Sequence, residues 1–486
     1  MTRSSERGVA LILALLLILA LSALIASLTM VSQTETWSSM DYRLMTQARY
    51  GAESGINKTV NYLLNNYSAP GTSGGDALAS YDTAVSPVTV LANNQPVVLS
   101  ADGTVSANYP DAQVESGFDD AAQGTMAAGG LGVNYAASAE LLSMGQVSVY
   151  GSPTPATIQT WRISSTGTVN GSPNARVEVS ALLEQSVTPV FQYAAFTTNN
   201  GCASLGFSGG GATDSYDSTA IHYQNGTVVT QAYGGDIGSN GNLTSSGSTT
   251  VINGSLSTPR TGVGQCGSTI TAWTSNGNST VTGGAIELPQ EMNYQTPAAP
   301  NPLPPTDAAS FTKSSGCNDV TGCTIASPGV LLAPGYYGNI SLSGGATLHL
   351  AAGTYDINSI GLSGNSTLVI DSGPVILNVA GQSVTTPIDF SGGAVTNAAM
   401  DPSKFQIQYA GTGTVKLTGG AQTSALVYAP NANVLFTGGT DWYGAVIAGT
   451  LDDSGGTAIH YDRHLKQTTL YTVGNYMLDS FTWKKF

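Results

Sequence analysis

LSGGATLHL, residues 342–350, returns as LSGNSTLVI, residues 362–370. The apolar positions coincide: Leu342 with Leu362, Leu348 with Leu368, Leu350 with Ile370. Ile340, Leu342, Ala346, Leu348 and Leu350 alternate with polar residues, which puts them on one face of extended chain, and the Ser-Gly pairs supply turns. One such unit cannot bury its apolar face alone, whereas stacked units bury a continuous core. A second echo pairs Ala425-Leu426-Val427 with Ala445-Val446-Ile447, and Gly-Gly turns recur at Gly392, Gly419, Gly438 and Gly455. The pattern predicts an irregular parallel β-helix, a solenoid, over roughly 325–460; an antiparallel sandwich is the competing arrangement.

The same texture extends N-terminally. Gly210–Tyr216, Gly235–Gly241, Val251–Gly254 and Val281–Gly284 read as further coils. Between the two stretches, Thr296–Pro305 holds five prolines. We read it as a long excursion between coils of one solenoid, because the flanking textures match. A β-solenoid domain is therefore expected over 191–470, followed by a tail, 471–486, whose Leu470, Tyr471, Tyr476, Met477, Phe481 and Trp483 neighbourhood predicts packing back on the body as a final strand.

Composition supports this division. Of 486 residues only 9% are charged, with a net charge of −15, which argues against nucleic acid as a partner because such binding needs a basic footprint. The 41% hydrophobic content is enough for a core, and 59 glycines suit short strands joined by tight turns. The cysteines are Cys202, Cys266, Cys317 and Cys323. Four cysteines in an exported chain read as two disulfides. Cys317 with Cys323, closing CNDVTGC, and Cys202 with Cys266 is the preferred of three pairings. Neither pair has CxxC spacing or a nearby histidine, so zinc is disfavoured.

The N-terminus begins MTRSSERG and continues as VALILALLLILALSALIASLTMV, Val9–Val31, without a charge. About 20 apolar residues cross the hydrocarbon core as a helix, and Arg3 and Arg7 mark the cytoplasmic side. The apolar run is too long for an ordinary cleaved signal peptide. Leu44, Ala48, Ala52, Ile56, Val60 and Leu63 then recur at three- and four-residue steps, so one helix is expected from about 9 to about 65. A simple signal anchor is the alternative. Further on, Gln146–Tyr150, Ile158–Ile163 and Val177–Leu182 read as strands of an antiparallel sheet for the helix stripe to pack on.

Basic residues, Arg7-Gly8, Val9-Ala10-Leu11-Ile12 and the long apolar run resemble a class III prepilin leader. Gln47-Ala48, Ala52-Glu53-Ser54-Gly55 and Trp161–Val169 followed by Ala175–Leu183 resemble PilX-type minor pilins. The resemblance covers about the first 190 residues. It implies leader 1–8, membrane and amphipathic helix 9–67, and a pilin-like α+β region 68–190. It also implies cleavage by a prepilin peptidase between Gly8 and Val9 and N-methylation of Val9. The implied partners are that peptidase, other pilins and minor pilins, and the inner membrane, with display on a pilus or cell surface after assembly. Major pilins carry a Glu five residues after the cut; Leu13 stands there. That departure fits a minor or tip subunit of a type IV pilus, and equally a type II secretion pseudopilin. Residues 200–465 resemble an uncharacterised β-solenoid domain that accompanies such N-termini, carried by Ala212–Ser218, Gly235–Gly241, Tyr428–Ala432 and His460–Asp462.

No catalytic site is read from the sequence. Glycoside hydrolysis needs two flanking carboxylates, and Asp214 with Asp217, or Asp452 with Asp453, are the candidate pairs; the expectation is that they are turn aspartates. His460-Tyr461-Asp462-Arg463-His464 would put 460, 462 and 464 on one face of a strand, a candidate metal set weighed against a polar closing strand. No cofactor is implied, and the expected ligand of the exposed solenoid is a glycan or a cell surface. The chain thus reads as non-enzymatic, with a membrane-anchored β-helix polysaccharide enzyme as the competing class.

Overall fold

The computed structural model describes residues 6–128, 131–169, 174–247, 249–312, 316–317, 323–326, 329–468 and 470–485. The chain is mainly β, with one long N-terminal helix, α1 (Glu6–Asn65). It divides into two compact units: Met1–Val147 with Ala156–Ser186 and Asn475–Phe486, and Ser148–Pro155 with Val187–Gly474.

In the first unit α1 changes character along its length. Residues 9–43 are exposed, whereas Leu44, Ala48, Ala52, Ile56 and Leu63 are buried and Val60 packs against the same cluster. That stripe lies on an antiparallel sheet formed by Val98–Ser100, Gln123–Ala128, Leu131–Val147, Ala156–Val169 and Ala175–Pro189. The strand expected over Gln146–Tyr150 ends at Val147, and its last residues belong to a turn in the other unit. Glycine allows the close approach of helix and sheet: a Cβ on Gly167 would sit 1.9 Å from the Ala48 carbonyl oxygen and 2.6 Å from the Ala52 nitrogen.

A second helix, α2 (Ala112–Ala122), lies within the stretch 68–190 for which the resemblance implies an α+β region. Asp111 caps it by accepting from the N–H groups of Gln113 and Val114, and Phe118 is buried edge-on to Tyr62. The chain's last strand, Tyr471–Lys485, adds to the sheet beside Ala175–Pro189, yet leaves Met477, Phe481 and Trp483 more than half exposed.

The second unit is built of layers whose strands pair in parallel. Gly335–Ser343 and Gly353–Leu362 pair with Ile340 opposite Ile360 and Leu342 opposite Leu362; Thr347–Leu350 and Ser366–Ile370 pair with Leu348 opposite Leu368. This is the register that the LSG repeat predicts. The second echo slips by one residue: Leu426 lies opposite Ala445 and Val427 opposite Val446. Ser424–Ala429 and Trp442–Ala448 are buried on both faces, so no polar–apolar alternation marks which residue faces inward.

The order of layers in space differs from their order in the chain. From Ala308–Thr312 the layers follow sequence through Gly353–Leu362, Phe405–Tyr409 and Ser424–Phe436 to Asp441–Asp453. The next layer is Ala195–Thr197 with Leu205–Phe207, from the unit's beginning. Beyond it come Ile237–Ser239 with Leu243–Ser246, then Leu256–Thr258 with Trp273–Asn276, and finally Ala285–Glu287. The chain therefore enters mid-stack, builds outward to one end, crosses to the opposite end, and builds back to its entry point.

Residues 288–307 make that crossing as a strap. Proline offers no N–H, and the strap makes no strand, so its carbonyls need donors from the layers it passes. Asn240 Nδ2 donates to Met292 O at 2.8 Å, Tyr428 Oη to Gln295 O at 2.6 Å, Gln382 Nε2 to Pro304 O at 2.9 Å and Asn339 Nδ2 to Thr306 O at 2.5 Å. Tyr294 is the strap's apolar anchor, buried against Phe196 and Tyr428.

Candidate functional site

Val9–Val31 combines a predominantly apolar sequence free of charge with exposure throughout, and α1 is long and apolar enough to cross a membrane. Its 23 residues span about 34 Å as helix, against a hydrocarbon core of about 30 Å. Leu13 is exposed within this run. Gly8 lies inside the helix and Val9 is its first described side chain; Met1–Ser5 of the expected leader lie outside the described residues.

The candidate metal set of His460, Asp462 and His464 is not assembled. His460 is on the strand Ala458–Asp462, but Arg463–Gln467 turns into a short helix and takes His464 off that strand. Asp462 caps that helix, accepting from the backbone N–H of His464 at 3.1 Å and of Ser218 at 3.0 Å. Among the described residues no group of three or more His, Cys, Asp or Glu side chains is arranged to hold a metal ion.

His460 instead clamps the junction where the last layer meets the first. Its Nδ1 lies 2.5 Å from Asp214 Oδ1 and its Nε2 3.2 Å from Asp441 Oδ1, and Tyr443 stacks 4.5 Å from it, ring centre to ring centre. Burial pulls the imidazole pKa down, but the hydrogen bonds and charges of Asp214 and Asp441 outweigh it and raise it to about 9. The hydrogen bond from His460 in turn lowers Asp441. At neutral pH the ring is a cation donating from both nitrogens.

The candidate acidic pairs are separated by function and burial. Asp214 belongs to the clamp and also accepts from Thr230 Oγ1 at 2.6 Å. Asp217 holds a turn, accepting from the N–H and hydroxyl of Thr219, which lower its pKa. Asp452 is exposed, whereas Asp453 is fully buried beside Gly211 and accepts from the Thr457 N–H; burial raises its pKa to about 6. Asp452 and Asp453 point to opposite sides of one strand, which is not a geometry that flanks a bond.

Cys202 and Cys266 form a disulfide. The side chains of Cys317 and Cys323 lie outside those described, so the pairing expected for them does too.

A groove that no sequence motif marks runs beside the strap in the second unit, with a volume of about 500 Å³. Ala298–Asn301 and the turn Gly151–Pro153 wall it, and Thr354, Asp356, Ile376, Asn378 and Gln408 floor it. Its two walls and its floor come from three separate parts of the chain, around 151–153, 298–301 and 354–408, which is why spacing alone does not reveal it.

Residues 306–468 match a family described as a domain of unknown function (DUF7305). The match is narrower than the 200–465 stretch of the expected resemblance: it takes in the layers from the strap's end to the junction and leaves out those built from 194–287. No curated protein matches the chain. Among solved structures, the competence-associated pilin ComZ from Thermus thermophilus aligns over 91% of this chain and 98% of its own, at 13% identity and a TM-score of 0.22. At that identity and score the likeness carries no argument about fold or function.

Proposed function

We propose that the chain is a non-enzymatic, minor-pilin-like subunit of a type IV pilus, anchored by α1 and displaying its layered unit outside the cell. One observation carries the reading: the division of α1 into an exposed apolar half, Val9–Val31, and a half whose stripe packs on an antiparallel sheet. Exposed apolar surface on that scale needs a lipid or protein environment. The prepilin-like RGVALI junction supports removal of Met1–Gly8 by a prepilin peptidase and methylation of Val9. On this reading α1 lies first in the inner membrane and then among other pilins in a filament. We further infer that the parallel layers are coils of a β-helix, a rigid polar scaffold suited to adhesion or surface display. The dispersal of the acidic candidates supports a binding role over hydrolysis.

The test is the N-terminal mass of the membrane-extracted protein after co-expression with a prepilin peptidase. Loss of Met1–Gly8 with a methylated Val9, blocked by Gly8→Leu, is the expected result. An intact N-terminus, or a cut after Val31, overturns the reading.

A further inference from the structure

The outer face of the layers carries a row of side chains that the anchor and the clamp leave unused. Register places Tyr336, Asp356, Asn378 and Gln408 abreast on four successive layers. Their inward neighbours Tyr337, Ile357, Val379 and Tyr409 are buried in the core, so alternation turns the row outward. Neighbouring strands are about 4.8 Å apart, so the row extends about 14 Å along the stack.

The chemistry of the row is specific. Asn378 Nδ2 donates to Asp356 Oδ1 at 2.9 Å, which orients both groups and leaves each with acceptor capacity for a ligand hydroxyl. Tyr336, half exposed at one end of the row, offers an aromatic ring for the apolar C–H face of a sugar. No Lys or Arg lines the groove, and Asp356 is its single charged lining residue, in a chain of net charge −15. An anionic polymer would be repelled. An extended peptide would look for a free strand edge or apolar pockets, and the groove floor is the face of a paired sheet. What remains is a neutral chain with many hydroxyls. The strands beneath hold the polar groups in fixed positions, which lowers the ordering cost of binding.

We propose that this groove binds a neutral oligosaccharide lying along the stack, with Asp356 and Asn378 accepting sugar hydroxyls and Tyr336 stacking on a ring at one end. The inference does not depend on pilus assembly, because binding is measured on the isolated chain.

The experiment uses the full-length protein in a detergent without a sugar headgroup. Cellohexaose, maltohexaose and chitohexaose are titrated separately by calorimetry and saturation-transfer NMR. At least one is expected to bind saturably with a Kd of about 1 mM or tighter. Asp356→Ala and Tyr336→Ala, each checked for unchanged Tm, are expected to weaken that binding about tenfold. Tyr336 is exposed, so its variant stays informative if Asp356→Ala fails to fold. Absence of binding by all three hexaoses, or wild-type affinity in a folded variant, overturns the proposal.

Discussion

Asp214 Oδ1 and His460 Nδ1 meet at 2.5 Å although 246 residues separate them in the chain. The contact spans the junction at which the last layer stacks on the first, where Asp214 lies in register with His460. Asp441 holds the other ring nitrogen, so the imidazolium is fixed between two carboxylates.

Raising pH should therefore loosen the junction. The folded-state pKa of His460, about 9, exceeds the unfolded value of about 6.5. Its contribution to stability is complete below pH 6.5 and is lost as pH rises through 9. We expect urea stability to fall by on the order of 2 kcal/mol between pH 6.5 and 10, allowing for screening at the part-exposed Asp441. His460→Gln should remove most of this slope. Urea titrations of both proteins across that range decide it.

The packing of α1 on its sheet depends on Gly167. A methyl group there would collide with the backbone of Ala48 and Ala52. Backbone cannot move aside as a flexible side chain can, so Gly167→Ala should cost about 3 kcal/mol and expose the helix to protease. Gly145 has open space around its Cβ position, and Gly145→Ala should change stability by no more than about 1 kcal/mol. Limited proteolysis and urea unfolding of the two variants provide the comparison.

The Cys202–Cys266 bond closes a loop of 64 residues that includes the outer layer Ile237–Ser239 with Leu243–Ser246 and the strand Leu256–Thr258 of the next. In the chain-entropy account such a loop is worth about 4 kcal/mol. The Cys202→Ser, Cys266→Ser double variant should lose stability on that order, and reductant should lower the urea midpoint of the wild type by clearly more than that of the variant.

Tyr294 separates apolar packing from hydrogen bonding in the strap. Its ring is buried, and its hydroxyl, also buried, has no hydrogen-bond partner among the described residues. Tyr294→Phe should thus be neutral or slightly stabilising, because it deletes an unsatisfied group. Tyr294→Ala should cost about 3–5 kcal/mol. Denaturant midpoints of the two variants would show whether the ring, and not the hydroxyl, anchors the strap.

Some of this was legible in the residues. In the LSG repeat one face is apolar and the other polar, and a shift of one residue would turn every leucine to solvent, so the pattern carries its own register. The stripe on α1 is legible for the same reason at helical period. The pair 424–429 and 442–448 has apolar residues on both faces, and the echo read from it misses by one position. The helix α2 went unread because its signals, an Asp111 cap and two buried residues, are weak within a loop-like composition. The His460 clamp left no local trace at all: its three members, Asp214, Asp441 and His460, come from three separate strands.

By itself, then, the sequence determined an apolar helix long enough for a bilayer and repeated extended units that must stack to bury their apolar faces, because both follow from local periodicity. Only the tertiary structure decided which layer lies on which. Parallel backbone pairing is much alike in every layer, so repeats state that layers stack without stating their order. The strap 288–307 settles that order by spanning the stack, and in doing so it brings the clamp and the groove together from parts of the chain that no spacing rule connects.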